Sequence, residues 1–82
     1  MNIIDKIREA GKQKKLMRIV YKKLEGEVTE RVVEPYEIKG SSRLFAYDVD
    51  KADHIRQFII TGILQAEVLE ETFEPQWPIK IT

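Results

Sequence analysis

Between Asn2 and Gly11 the apolar residues fall at Ile3, Ile4, Ile7 and Ala10, the spacing that gathers them on one face of a helix. Lys6, Arg8 and Glu9 fill the other face, and Asn2 can cap the first turn, with Asp5 completing a shortened capping box. Gly11 suits the helix end, where Lys12, Lys14 and Lys15 favour the negative pole of the helix dipole. The pattern predicts one amphipathic helix of about three turns, near residues 3–12.

From Leu16 the period changes to two. Met17, Ile19 and Tyr21 alternate with Leu16, Arg18, Val20 and Lys22, as in a half-buried strand. Gly26 marks a turn, and VTERVVEPYEIK is a long second strand in which Pro35 argues for an edge, a bend or a barrel corner. KGSS forms the next turn, RLFAYDV a third strand and Asp50–Asp53 another turn. HIRQFIIT is a fourth strand, which Gly62 breaks before a fifth, ILQAEVLEET. The tail FEPQWPIKIT sets Trp77 between two prolines and is expected to run extended over the body, with Trp77 as a lid closing the barrel or an anchor for a partner. Tyr21, Ile19, Val33, Ile55 and Ile63 recur on inner strand positions and are the expected core.

One helix and five short strands with turns between them describe a mainly β chain, folded as a small barrel or a strongly bent sheet. Closure would remove the edge strands that a small sheet otherwise exposes. At 82 residues the chain is one domain: helix 1–14, barrel strands 15–71 and extended tail 72–82.

Charge adds a feature that hydropathy does not show. The net charge is zero, yet residues 1–23 carry eight Lys/Arg against Asp5 and Glu9, leaving an acidic remainder. Such a basic end steers toward phosphates or holds the two parts of the chain together. Without cysteine there is no disulfide, thiolate nucleophile or zinc finger. No apolar run is long enough to span a bilayer, and the N-terminus lacks a signal-peptide core, so the expected location is the cytosol.

Catalytic chemistry has no foothold in the pattern. His54 is the single histidine, beside Asp53 at a turn, with no second His or Cys to complete a metal site or triad. Glu25, Glu27 and Glu30 fall on exposed positions, and the four glycines match no phosphate-binding loop. Neither an enzyme nor a cofactor is expected.

The order of features from Ile19 onward is more specific. It runs IVY, a Gly-containing turn, TERVVEP, a polar turn, LFAYD, a further turn, then RQFIITGI and AEVL. This series resembles the WYL domain family over residues 15–71, and the preceding helix fits as well. The resemblance implies an Sm-like or SH3-like five-stranded barrel with a regulatory, ligand-sensing role. It also implies nucleotide-like ligands or single-stranded nucleic acid as partners, in transcriptional or phage-defence control. By position, Thr29 and Arg31 match the family's polar-x-Arg pair, Tyr47 its aromatic after Ala, and Arg56 and Phe58 its R-x-F. Arg31, Tyr47 and Arg56 are thereby the implied ligand contacts, with Phe58 in the core. The name-giving motif departs: Leu44 is kept, but Ser42 and Arg43 stand where the family has Trp and Tyr. WYL domains usually follow a DNA-binding winged helix or helix-turn-helix, for which this chain has no room, so a separate DNA-binding chain is an expected partner, as is a second copy.

Arg43 joins the candidate ligand contacts on local chemistry. A guanidinium offers a planar fork to phosphate, and a neighbouring ring offers a face to a base. Arg43, Phe45 and Tyr47 share one face of their strand. Arg56 joins them only if residues paired across the hairpin sum to an odd number, and one residue of slip moves it to the other side. Ion pairing with nearby carboxylates such as Asp48, Asp50 and Asp53 is the structural alternative. Two classes of function remain open at this point: a ligand-sensing module, and a protein-interaction module that keeps the barrel without a ligand.

Overall fold

The period-two segments become five antiparallel strands behind one helix. The computed structural model describes residues 2–50 and 54–81, so residues 51–53 of the expected acidic turn lie outside it. The elements are α1 (Ile3–Gln13), β1 (Lys15–Lys22), β2 (Val28–Lys39), β3 (Arg43–Asp48), β4 (Arg56–Ile59), a short 3₁₀ turn (Ile60–Gly62) and β5 (Ile63–Thr72). Among the described residues, no helix is long and apolar enough to cross a membrane.

Asn2 caps α1 as expected, its Oδ1 accepting the Asp5 amide at 2.8 Å. Gly11 does not end the helix. That role falls to Lys14, in the left-handed conformation at φ 54°, whose amide N–H satisfies the carbonyls of Ala10 and Gly11. Gly11 instead makes room for the tail, since a Cβ there would lie 2.8 Å from Ile81 Cδ1. Only a residue without a side chain lets Ile81 enter the core at that point.

The strands assemble in the order β4-β3-β2-β1-β5. Met17, Ile19 and Tyr21 pair with Val33, Arg31 and Thr29 on one side, and with Val68, Ala66 and Ile63 on the other. With the β2–β3 and β3–β4 registers, this brings the inward residues of five strands onto one face, where Met17, Ile19, Val33, Leu44, Phe58 and Ile63 form the core with Ile7 and Ala10 of α1. Ile3, Ile4 and Tyr21 pack against its margin. Ile55 departs from the expected core: it is only half-buried and lies on the outer side, near Trp77.

Pro35 sits in a central strand, at a register shift between Pro35 and Glu37. A bulge tolerates its missing N–H and bends the strand, which is the corner reading of that proline. The sheet is barrel-like but unclosed, because β4 and β5 share no ladder among the described residues. β4 has only four residues before the chain coils through Ile60–Gly62. Gly62 fits there because a Cβ would meet the Lys22 carbonyl oxygen at 2.8 Å. The free side of the sheet is braced by α1, whose Lys6 Nζ donates to the Ala66 carbonyl at 3.1 Å.

The tail is strapped to the body at several points. The Phe73 amide donates to the Lys14 carbonyl at 2.9 Å, the Lys80 amide to the Tyr36 carbonyl at 2.7 Å, and Ile81 is buried. Trp77 stands edge-on to Tyr36, with ring centroids 5.4 Å apart, and tilted against Tyr47 at 5.8 Å. It therefore covers the outer face of the sheet and does not close the barrel: Tyr36 alternates with Pro35 onto the same outer face as Glu34, where its ring gives Trp77 a partner.

Beneath the tail, the Tyr36 hydroxyl donates to Glu34 Oε1 at 2.5 Å and accepts the Gln76 amide at 3.0 Å. Desolvation, then the hydrogen bond to Glu34, pushes the Tyr36 phenol from its ordinary 10.0 up to about 12. The resulting stability is whole below the ordinary tyrosine value and is lost as pH rises through the folded one, between about 10 and 12. Tyr36→Phe leaves the Gln76 amide and Glu34 without this partner, at an expected cost of about 1–3 kcal/mol near neutral pH. Urea titrations of both proteins should show the gap narrowing across that alkaline window. An equal gap at every pH would contradict this account of Tyr36.

Candidate functional site

The β3–β4 register decides which arginines can act together. Arg43 pairs with Ile59, Leu44 with Phe58, and Ala46 with Arg56, so paired numbers total an even value. Arg56 therefore shares the inner face with Ala46, while Arg43, Phe45 and Tyr47 point outward. The physical reason is the core: Leu44 and Phe58 are both buried, and a slip of one residue would turn Phe58 to solvent. The four candidate contacts are thus divided by the sheet, Arg31 and Arg56 inside, Arg43 and Tyr47 outside.

On the inner face, Arg31 enters from β2 among apolar neighbours and is itself buried. Its Nη1 donates to Asp48 Oδ2 at 2.8 Å, and its Nε to Thr29 Oγ1 at 3.2 Å. The guanidinium carbon lies 5.7 Å from the centroid of the Phe58 ring, a cation–π distance. Phe58 in turn meets Tyr21 edge-on at 5.1 Å, and the Tyr21 hydroxyl accepts the Ile59 amide at 3.0 Å. Asp48 Oδ1 accepts the Asp50 amide at 3.0 Å. Arg31 is thereby fixed in position, as a fork held at two of its three nitrogens.

Arg56 is held differently. It reaches the same face from β4, two residues from Phe58, and β3 with Asp48 runs between it and Arg31. Its side chain is half-buried, yet its Nε is shielded from solvent and has no hydrogen-bond partner among the described residues. A buried donor left unsatisfied costs about 1–3 kcal/mol. Among the described residues, Arg31, Arg56 and Asp48 together carry one surplus positive charge. Chemically, it offers N–H donors and a local positive field to an anion, beside the rings of Phe58 and Tyr21.

The outer face is organised around rings. Arg43 Nη1 donates to Gln57 Oε1 at 2.8 Å in an exposed position, and Lys39 Nζ sits 5.2 Å from the Phe45 ring centroid. Tyr36, Phe45, Ile55, Trp77 and Pro78 line a groove of about 220 Å³ nearby. His54 is exposed, and no group of three or more His, Asp or Glu able to hold a metal occurs among the described residues.

Asp48 is the residue that sequence reasoning undervalued. It was one of several carboxylates available to the arginines, although it shares strand parity with Leu44 and Ala46. A carboxylate on an otherwise apolar face needs a cation opposite, and that signal leads across β2–β3 to Arg31.

Among solved structures, Proteasome accessory factor B/C (PafBC) of Arthrobacter aurescens is similar, with a TM-score of 0.70 and 25% sequence identity. The similarity covers 92% of this chain and 13% of that one, so this chain corresponds to a small part of PafBC. No curated protein matches. The WYL domain family model matches residues 2–68, from the helix cap through the middle of β5, and the chain belongs to the WYL domain family.

Proposed function

We propose that this WYL domain is a ligand-sensing regulatory module that binds the anionic part of a nucleotide-like ligand on its inner face. The observation that carries this reading is the shielded, unpartnered Nε of Arg56 on the same sheet face as the braced Arg31. Arg56 supplies the free donors, Arg31 a second positive charge whose direction is set by Asp48 and Thr29, and Phe58 and Tyr21 the apolar wall. An anion seated there would satisfy the buried donor and neutralise the surplus charge. Arg43 and Tyr47 become ligand contacts only for a ligand long enough to wrap the β3–β4 hairpin, such as single-stranded nucleic acid. Transcriptional or phage-defence control, through a separate DNA-binding chain, is the proposed setting, and the cytoplasm the proposed location.

The second reading, a protein-interaction module, is favoured by the outer groove at Trp77, whose aromatic lining suits an apolar partner segment. Titration with mononucleotides and short single strands at low salt separates the two. Arg56→Gln is expected to weaken binding about tenfold or more, the loss of a charge-assisted hydrogen bond. Arg43→Ala should matter for a strand and leave a mononucleotide unaffected. Absence of binding to either probe by the folded protein would transfer the case to the interaction module.

A further inference from the structure

A cationic pocket lies at the other end of the β2–β3 ladder. Val33 pairs with Asp48 near the inner-face site, whereas Lys39 pairs with Arg43 at the hairpin tip. Beside that tip, Arg8 of α1, Ile38, Gly40 and Ser41 of the hairpin, and Lys80 and Ile81 of the tail line a pocket of about 190 Å³. We propose that this pocket is a phosphate-binding site, independent of the inner-face reading.

Three observations support it. Its lining carries two cations and no carboxylate, in a protein whose net charge is zero. Among the described residues, neither the Arg8 nor the Lys80 side chain has a hydrogen bond or an ion pair, so both charges are available. Their backbones are nonetheless fixed: Arg8 follows the fully buried Ile7, and Lys80 lies between its own amide bond to Tyr36 and the buried Ile81.

The hairpin tip contributes the third observation. Gly40 and Ser41 both hold left-handed backbone, at φ 58°. The other non-glycine with positive φ among the described residues, Lys14, is explained as a helix cap. Gly40 and Ser41 are the central residues of the β2–β3 hairpin turn, which the Ser42 amide closes by donating to the Lys39 carbonyl at 3.1 Å, and positive φ at both positions suits such a turn. The turn places Gly40 and Ser41, with its hydroxyl, on the rim of the cationic pocket. Donors converge from helix, turn and tail, three directions that suit the tetrahedral oxygens of phosphate better than a planar carboxylate. Two cations also match the charge of a phosphate monoester.

The test is an amide NMR titration of the whole chain with inorganic phosphate, against chloride at equal ionic strength. Saturable shifts at Gly40, Ser41 and Ser42 are expected with phosphate alone. The double variant Arg8→Gln/Lys80→Gln should weaken them about tenfold or more, by loss of two charged donors. Ser41→Gly should keep or raise the thermal midpoint while weakening phosphate, and Arg56→Gln should leave these shifts unchanged. A nucleoside 5′-monophosphate and an oligonucleotide without terminal phosphates then identify the source. Saturation with the first alone assigns the site to a phosphorylated small molecule, and saturation with the second assigns it to a nucleic-acid backbone. Shifts that rise linearly without saturating, or that persist unchanged in the double variant, would overturn the proposal.

Discussion

Asp48→Ala is expected to destabilise the domain by about 3–5 kcal/mol, because it strands the buried Arg31 guanidinium without its counter-charge. Both partners are buried, Asp48 at 1% and Arg31 at 8% exposure, so water cannot replace the lost carboxylate cheaply. The loss is a property of the unpaired charge and not of the pair's own strength. Removing both charges together, as Arg31→Met with Asp48→Leu, should therefore recover most of the stability. Urea denaturation of the three proteins checks this. A single variant within about 1 kcal/mol of the original, the level of an exposed pair, would mean that water reaches Arg31 and that the pair is not sealed.

Ile7→Asp carries the other large effect, an expected loss of about 4 kcal/mol or more from a fully buried aliphatic position. Ile7 is wholly inaccessible and sits with Ala10 in the same cluster as Met17, Ile19 and Val33. It pins α1 across the inner face, where α1 contacts β5, β1 and β2. Ile3→Asp at the margin of that cluster should cost less, since the residue keeps partial access to solvent. Thermal unfolding orders the two variants. An unchanged midpoint for Ile7→Asp would show that the helix does not seal the core.

The elements were legible because each carries its own period. Met17, Ile19 and Tyr21 alternate cleanly, and the apolar spacing of Ile3, Ile7 and Ala10 fixes the helix face without any tertiary information. Pro35 announced a bend, and the bulge beside it is that bend. What local pattern could not supply was long-range geometry. Gly11 resembles a helix stop until Ile81, seventy residues later, is seen to need its missing side chain. Trp77 between two prolines carries no address, and only the pairing of β2 with β3 shows that Tyr36 and Tyr47 await it on the outer face.

The site was legible in its residue types and illegible in its register. Arg43, Tyr47, Arg31 and Arg56 were all marked as candidates, yet strand parity decides which of them share a surface. The residue types between the two strands do not by themselves fix that parity. The burial of Leu44 opposite Phe58 fixes it instead, and moves Arg56 to the side of Arg31. Stacking of a base on the pair Arg43–Tyr47 therefore loses Arg56 as a helper, and the inner face gains it. The departure at Ser42 and Arg43 from the family's Trp and Tyr falls at the hairpin tip and its outer side, away from the inner guanidinium groups.

The central claim, that Arg56 and Arg31 receive an anionic ligand on the inner face, is tested most directly at the Arg56 Nε–H itself. Its proton–nitrogen signal, assigned by comparison with Arg56→Gln, would be followed as a mononucleotide is added at low salt. The account predicts a saturable shift of the Arg56 signal with slower solvent exchange, a parallel shift at Arg31, and no change at the outward Arg43. An Arg56 signal that stays fixed while other residues of the folded protein titrate to saturation would contradict it.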